Sequence, residues 1–213
     1  MRIAIIGTGN VGGALARGWA RAGHEVRLGV RDPAARKVVA LVEETRASAL
    51  DPAAAAAGSD VVVLALPWAT AEEAVKSLGD LNGKVIIDCM NPLAMKDGVL
   101  GLDRGYSTSG AEALAAWIPG ARVVKTLNQV GAELMDQAAS LAGRPLMFIA
   151  GDDADAKQVA TTLVKALGFE PFDAGDLRQA RLLEPFGMTW INQALLRGAG
   201  RDWAFGAIRR RPE

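Results

Sequence analysis

Six residues near the start of the chain carry the clearest chemistry. Gly7-Thr8-Gly9-Asn10-Val11-Gly12 is a G-x-G-x-x-G segment, and its glycines suit a pyrophosphate. Gly7 permits a tight turn, Gly9 lets an anion approach the backbone with no Cβ in the way, and Gly12 lets a helix lie close to a strand. The N–H groups of the helical turn that follows then face the anion. A second group stands in Leu28-Gly29-Val30-Arg31-Asp32-Pro33. A dinucleotide with a free ribose 2′-OH needs Asp or Glu at the end of the preceding strand. Gly29 stands there instead, and Arg31 follows; a small residue beside a guanidinium fork suits a 2′-phosphate. Asp32 is the competing group, read here as a helix N-cap with Pro33 at the first helical position. The segment favours NADP over NAD. Arg36 and Lys37 either assist or form a solvated helix face.

Further along, Leu66-Pro67-Trp68 and Asn91-Pro92 each follow an apolar run. Trp68 either lines a cofactor cleft or is a core or interface aromatic. Asn91 either bonds a ribose or carboxamide or forms a turn before Pro92. Cys89 reads as a small buried hydrophobe. Tyr106 and Lys125 are the available proton donors, Lys125 more readily structural. His24 falls at a helix-to-strand turn, away from the segments above. No residue is assigned a catalytic role.

The counts narrow the field. In 213 residues there are 24 Lys+Arg, 24 Asp+Glu, one His and one Cys. The balanced charge argues against general nucleic-acid binding. One Cys with one His makes neither an internal disulfide nor a structural zinc site, so no metal site is expected. The longest strongly apolar stretch, 61–66, is too short for a bilayer, and no signal peptide is visible. A cytoplasmic protein with no membrane partner is expected.

The elements that must position these residues follow from periodicity. Strands are expected over 2–6, 25–30, 46–50, 60–66, 85–89, 121–127, 146–150 and 169–173. Between them lie helices that begin near Val11, at Lys37, at Pro52 with Asp51 as cap, at the box Thr70-Ala71-Glu72-Glu73, at the box Ser109-Gly110-Ala111-Glu112, and at Ala154. Residues 94–108 read as a polar loop. A helical stretch over 178–197 carries Pro185, which should kink or divide it. This alternation predicts an α/β fold: a Rossmann-type, doubly wound parallel sheet over 1–124, with a small C-terminal α/β annex over 125–213. Ligands of such sheets bind at the carboxyl ends of the strands, where strand order reverses. Leu182, Leu183, Phe186, Met188, Trp190, Ile191, Leu195 and Leu196 crowd more than one helix face, which predicts a homodimer. Trp203 and Phe205 either cap that interface or border an acceptor site. Arg209-Arg210-Arg211 reads as a solvated tail.

The glycine segment, Gly29-Val30-Arg31 and Leu66-Pro67-Trp68 together resemble NADPH-dependent reductases of coenzyme F-420, an 8-hydroxy-5-deazaflavin. Lys125-Thr126-Leu127-Asn128, Ala150-Gly151-Asp152-Asp153, Asp173-Ala174-Gly175-Asp176-Leu177 and Ala180-Arg181-Leu182-Leu183-Glu184 are similar to the second half of that family. The pattern also resembles the cytoplasmic domain of the STEAP ferric and cupric reductases. The resemblance implies that Thr8, Gly9, Asn10 and Val11 hold the pyrophosphate and Gly29 and Arg31 the 2′-phosphate. It implies that Leu66, Pro67 and Trp68 flank the cleft from adenosine to nicotinamide, with Asn91, Pro92 and Asn128 near the nicotinamide. Val30 stands where the family commonly has Ser or Thr, and Asn128 where some deazaflavin-using members have His. The implied function is hydride transfer between NADP(H) and a deazaflavin or flavin-like ring. A flavin or ferric reductase without a membrane part, and a non-catalytic NADP-binding sensor, are the alternatives. Ring-to-ring transfer needs orientation more than acid–base groups, which suits a chain with one His and one Cys.

Overall fold

A computed structural model describes residues 1–210. In chain order the elements are β1 (Arg2–Ile6), α1 (Asn10–Arg21), β2 (Glu25–Gly29), α2 (Arg36–Thr45), β3 (Ser48–Leu50), α3 (Pro52–Ala57), β4 (Val61–Leu64), α4 (Ala71–Lys76), β5 (Val85–Asp88), β6 (Leu93–Lys96), β7 (Val99–Leu102), α5 (Gly110–Trp117), β8 (Arg122–Lys125), α6 (Ala132–Met135), β9 (Leu146–Gly151), α7 (Ala154–Ala166), β10 (Glu170–Gly175) and α8 (Ala180–Ile191). One eight-stranded sheet runs β3-β2-β1-β4-β5-β8-β9-β10. The order reverses between β1 and β4, as in a doubly wound Rossmann fold.

The strands alternate their faces. Ile3, Ile5, Val61, Val63, Val85 and Ile87 pack on one side with Leu15 and Trp19 of α1. Ala4, Ile6, Val62, Leu64 and Ile86 pack on the other with Val75 and Leu114. Period-two burial on both faces is what a covered parallel strand requires. Trp19 is fully buried, and its Nε1 donates to the Leu163 carbonyl of α7 at 3.0 Å, tying the first helix to the second half.

The second half continues the same sheet, but with reversed direction. β8 pairs antiparallel with β9 (Val124 opposite Gly151, Lys125 opposite Ala150), and β10 runs parallel to β9. Gln129, just past β8, donates through Nε2 to the Leu146 carbonyl at 3.1 Å and accepts from the Phe148 N–H through Oε1 at 3.2 Å. β9 therefore enters the sheet at the end where β8 leaves it.

Four local expectations need correction. Residues 94–108 are not simply a loop, because β6 and β7 form an antiparallel hairpin. Its turn residues Asp97 and Gly98 have φ of 51° and 77°, the two positive values a two-residue primed turn demands and an Asp-Gly pair supplies. Asp32 does not cap α2, which starts at Arg36 after Ala35; its Oδ1 accepts from the Ala34 N–H at 3.0 Å and closes a turn over Pro33. Thr70 caps nothing, because its hydroxyl donates back to the Pro67 carbonyl at 3.3 Å. Pro185 does not divide the last helix: α8 runs through it, within a turn and a half of the N-terminus, and gives way to a π-helical turn only at Asn192–Leu196. Two other caps form as expected. Asp51 accepts from Ala53 and Ala54, and Ser109 exchanges hydrogen bonds with Glu112. Of the basic tail, Arg209 pairs with Glu170 at 2.6 Å and lies over Phe172, while Arg211 falls outside the described residues.

Candidate cofactor and acceptor site

Register lines up the strand ends. Gly29 pairs with Ile6, Ile6 with Leu64, Leu64 with Asp88 and Asp88 with Lys125. The residues leaving these five ends share one rim of the sheet: the glycine loop, Val30-Arg31, Ala65 to Trp68, Cys89 to Pro92, and Thr126 to Asn128.

The glycine loop is shaped by what a side chain would hit. Gly7 has φ of +100°, and a Cβ there would lie 2.5 Å from the Ala65 carbonyl oxygen. A Cβ at Gly12 would collide with the Gly7 carbonyl. A Cβ on Gly9 would meet nothing within 4 Å, so the approach to this peptide is open. Gly9 is the N-cap of α1 with no side-chain cap bond, and no acidic residue stands in the first turn. The leading N–H groups of a 12-residue helix are thus left for an outside acceptor. Thr8 and Val11 are half-buried and Asn10 is exposed.

Gly29 ends β2 at this rim. It is buried, and a Cβ there would press on Ile6 Cδ1 at 2.5 Å and Pro52 Cα at 3.2 Å. Its smallness serves the contact of β2 with β1 and α3. Arg31 is exposed and makes no hydrogen bond or ion pair among the described residues.

Across the rim, Leu66 touches the glycine loop: its Cδ2 lies 3.1 Å from where a Gly7 Cβ would stand. Pro67 is exposed. Trp68 is held on three sides. It stacks on Trp117 at 5.1 Å between ring centres, its Nε1 reaches Asp103 at 3.4 Å, and the Arg104 guanidinium covers it at 5.0 Å. Trp68 and the buried Pro92 both border Gly110 at the start of α5.

Asn91 and Asn128 meet directly. Asn91 Nδ2 donates to the Asn128 carbonyl at 2.7 Å, while Asn128 Nδ2 donates to Asn91 Oδ1 and to the Leu183 carbonyl, both at 2.9 Å. These bonds fix the orientation of the Asn128 amide, since a flipped one would set oxygen against two oxygens. Asn128 is 5% exposed, and its Oδ1 is buried without a partner. Gly187 of α8 lies against this pair, and the neighbouring Phe186 packs on Phe148 and Phe205 at 5.5 and 4.2 Å. Phe148, Phe172, Phe186 and Phe205 remain partly exposed.

Beneath the asparagines lies a charged cluster in which Asp88 and Glu184 are unforeseen. Lys125 Nζ donates to Asp88 Oδ2 at 3.0 Å, to Glu184 Oε1 at 3.1 Å and to the Met90 carbonyl. Glu184 also accepts the N–H groups of Gly110 at 2.8 Å and Ala111 at 3.1 Å, the first two of α5. All three side chains are inaccessible to solvent. Burial pulls the Lys125 ammonium down, but the carboxylates of Asp88 and Glu184 outweigh it and hold its pKa above the ordinary value. With three donors and three acceptors, Lys125 has no proton to offer at the rim. The available signals were Asp88 ending an apolar run and Glu184 inside an apolar helix. Tyr106 is 92% exposed. Cys89 is buried, and burial pushes its thiol up, out of the nucleophilic range. His24 sits at the opposite end of the sheet, 3.4 Å from the N-terminal amine. No cluster suited to a metal ion occurs among the described residues, and no helix there is long and apolar enough to cross a membrane.

Fold and site together define a dinucleotide-binding α/β protein with a second half built over its rim. The family described as NADP oxidoreductase, coenzyme F420-dependent, matches residues 2–92. The chain is 32% identical over 211 residues to the F420-dependent NADP reductase of Methanothermobacter thermautotrophicus, covering 90% of this chain and 88% of that one. It is 29% identical over 184 residues to metalloreductase STEAP3 of Rattus norvegicus, covering 86% of this chain but only 36% of that one, so it spans about a third of the STEAP relatives it matches. A crystal structure from Arthrobacter sp. FB24, assigned as an F420-dependent NADP reductase, superposes with a TM-score of 0.90 at 34% identity, over 98% of this chain and all of that one. The chain belongs to the coenzyme F420-dependent NADP oxidoreductase family.

Proposed function

We propose that this chain transfers hydride between NADP(H) and a deazaflavin such as coenzyme F-420, or a flavin-like ring. The observation that carries the reading is Asn128. It is a buried amide with its orientation locked and one acceptor unpaired, on the same rim as an open glycine loop and near partly exposed aromatic rings. Leaving such an acceptor unpaired costs about 1–3 kcal/mol, so it suits a ligand that brings a donor.

The residues present fit the dinucleotide. The N-terminus of α1, with Thr8, Gly9, Asn10 and Val11, would hold the pyrophosphate, and Arg31 with the Gly29 backbone the 2′-phosphate. Leu66, Pro67 and Trp68 would wall the cleft, and Asn91, Pro92 and Asn128 would seat the nicotinamide, with Asn128 Oδ1 accepting from the carboxamide NH₂. When bound, the nicotinamide supplies or receives the hydride. Phe148, Phe186 and Phe205 would offer an apolar wall of edge-to-face and tilted aromatic rings for an acceptor ring and exclude water. The hydride passes from ring to ring, and the proton that completes reduction of the acceptor comes from solvent, consistent with Lys125 being fully engaged. In this reading residues 1–124, joined by Asn128, serve the cofactor, and the rest of 125–213 serves the acceptor and the contact with a second copy. Exposed Leu182, Leu195 and Leu196 on the outer side of α8 and its extension favour a second copy of the chain as partner.

The test is NADPH oxidation, followed by the loss of its absorbance, with F-420, FMN, FAD and ferric chelates in turn. Turnover with F-420 or a flavin is expected. Tight NADPH binding with no oxidation by any acceptor would refute the enzyme reading in favour of a nucleotide sensor.

A further inference from the structure

The buried cluster of Lys125, Asp88 and Glu184 takes no part in the chemistry proposed above, yet it grips the chain on either side of the asparagine pair. Asp88 Oδ1 accepts the Met90 N–H at 2.9 Å, and Lys125 donates to the Met90 carbonyl. Both backbone groups of Met90 are therefore held by charged partners, and Asn91 is the next residue. On the other side, Glu184 is anchored to Lys125 and to the α5 N-terminus, and the carbonyl of its neighbour Leu183 takes Asn128 Nδ2. Between Lys125 and Asn128, the buried Leu127 holds φ of +58°, a conformation that a large side chain keeps only where its surroundings enforce it. A buried ion cluster gains little stability over apolar side chains of equal volume. What it supplies here is direction, since charge-assisted hydrogen bonds fix angle as well as distance.

We infer that Lys125, with Asp88 and Glu184, is a positioning residue for hydride transfer: it sets the Met90–Asn91 peptide and, through α8, the Asn128 amide, so that the nicotinamide meets its acceptor at one distance and tilt. The inference rests on the dinucleotide reading above. Lys125 itself touches no ligand in that reading, so its effect falls on the chemical step more than on cofactor affinity.

The experiment compares the full-length wild type with Asp88→Leu, Asp88→Asn and Lys125→Met, each checked for folding by circular dichroism. Lys125→Met leaves two buried carboxylates uncompensated; Asp88→Leu leaves Lys125 paired with Glu184 and is the milder disruption. NADPH affinity is titrated through nicotinamide fluorescence, and turnover with F-420 or FMN is measured with NADPH and its C4-deuterated form. Asp88→Leu is expected to lose about tenfold or more in kcat, with a larger primary isotope effect and an NADPH Kd within about threefold of wild type. Asp88→Asn, which keeps an acceptor for the Met90 N–H, recovers most of kcat. A folded Asp88→Leu or Lys125→Met with wild-type kcat overturns the inference, as does an equal loss in Asp88→Asn and Asp88→Leu. Wild type that fails to bind NADPH overturns the dinucleotide reading, and this inference with it. If wild type binds NADPH without turnover, the emission of bound NADPH decides: a change in Asp88→Leu that Asp88→Asn does not share supports positioning, and no change overturns it.

Discussion

Asn91 and Asn128 leave neighbouring strands and interlock, the side-chain amide of each donating to an oxygen of the other, at 2.7 and 2.9 Å. Only Asn128 Oδ1 is left over, buried and unpaired. Asn128→Ala removes that acceptor and two hydrogen bonds at once. It is expected to lower kcat/KM for NADPH about tenfold or more, at about 1–3 kcal/mol for the lost buried bonds. Steady-state kinetics beside a thermal melt separates the two effects.

Arg31 stands exposed at the rim with no partner among the described residues, so its removal disturbs no internal bond. Arg31→Ala is expected to weaken NADPH binding by about tenfold to a hundredfold, at about 1.5–3 kcal/mol for a charged hydrogen bond, and NADH binding by less than about twofold. Equal losses for both cofactors in a fluorescence titration would remove Arg31 from the 2′-phosphate site.

Gly12 has no room for a methyl group, because a Cβ there collides with the Gly7 carbonyl. Gly12→Ala is expected to cost about 1–3 kcal/mol and to push α1 off the glycine loop. Gly9→Ala, with open space around its Cβ position, should leave stability unchanged and reduce NADPH affinity alone. Thermal melts with and without NADPH distinguish the two variants.

Glu184 neutralises Lys125 on one side and the N-terminus of α5 on the other. Glu184→Ala leaves the Gly110 and Ala111 N–H groups without an acceptor, while Lys125 keeps Asp88, and is expected to cost about 1–3 kcal/mol. Glu184→Gln keeps an acceptor for the α5 N–H groups and should cost less. Chemical denaturation gives the comparison.

The pH dependence of stability follows from the directions of the shifts. The folded pKa of Lys125 is raised, so its contribution is complete below the ordinary value of about 10.4 and is lost as pH rises through the higher folded value. Asp60, held down to about 2 by Arg2, and Glu112, held down chiefly by Arg181, contribute above their ordinary carboxylate values and lose that contribution as pH falls through the folded ones. These groups therefore predict a melting temperature that is flat between about pH 6 and 9, with a decline on each side. A decline between pH 7 and 9 would contradict the engaged state of Lys125.

The features legible in the sequence were those carried by neighbouring residues. The turn at Gly7, the packing at Gly12, the caps at Asp51 and Ser109 and the two-faced strands all depend on side chains a few positions apart. The hairpin of β6 and β7 was hidden because Leu93–Lys96 and Val99–Leu102 contain a single β-branched residue, Val99, although Asp97-Gly98 marked its turn. Asp32 misled because Asp-Pro suits a turn and a helix start equally. The packing of Ile6 and Pro52 against Gly29 is long-range and so leaves no trace among its sequence neighbours. Asp88 and Glu184 each stand out as charges among apolar neighbours, but their meeting with Lys125 is not legible in the sequence. The three come from β5, α8 and β8, and only the strand order and the packing of α8 on α5 bring them together.

The contact between Glu184 and Gly110 also orders events during synthesis. The two residues are 74 positions apart, whereas Asp88 and Lys125 are separated by 37. As the chain leaves the ribosome, β5 can receive β8 and the first ion pair can close while α5 still presents bare N–H groups. Only when α8 emerges can its carboxylate reach them, so the Asn128 amide and its Leu183 partner settle after the strands are present. A nascent chain cut before residue 184 would carry all eight strands of the sheet and the glycine loop, yet an unfinished floor beneath the asparagines.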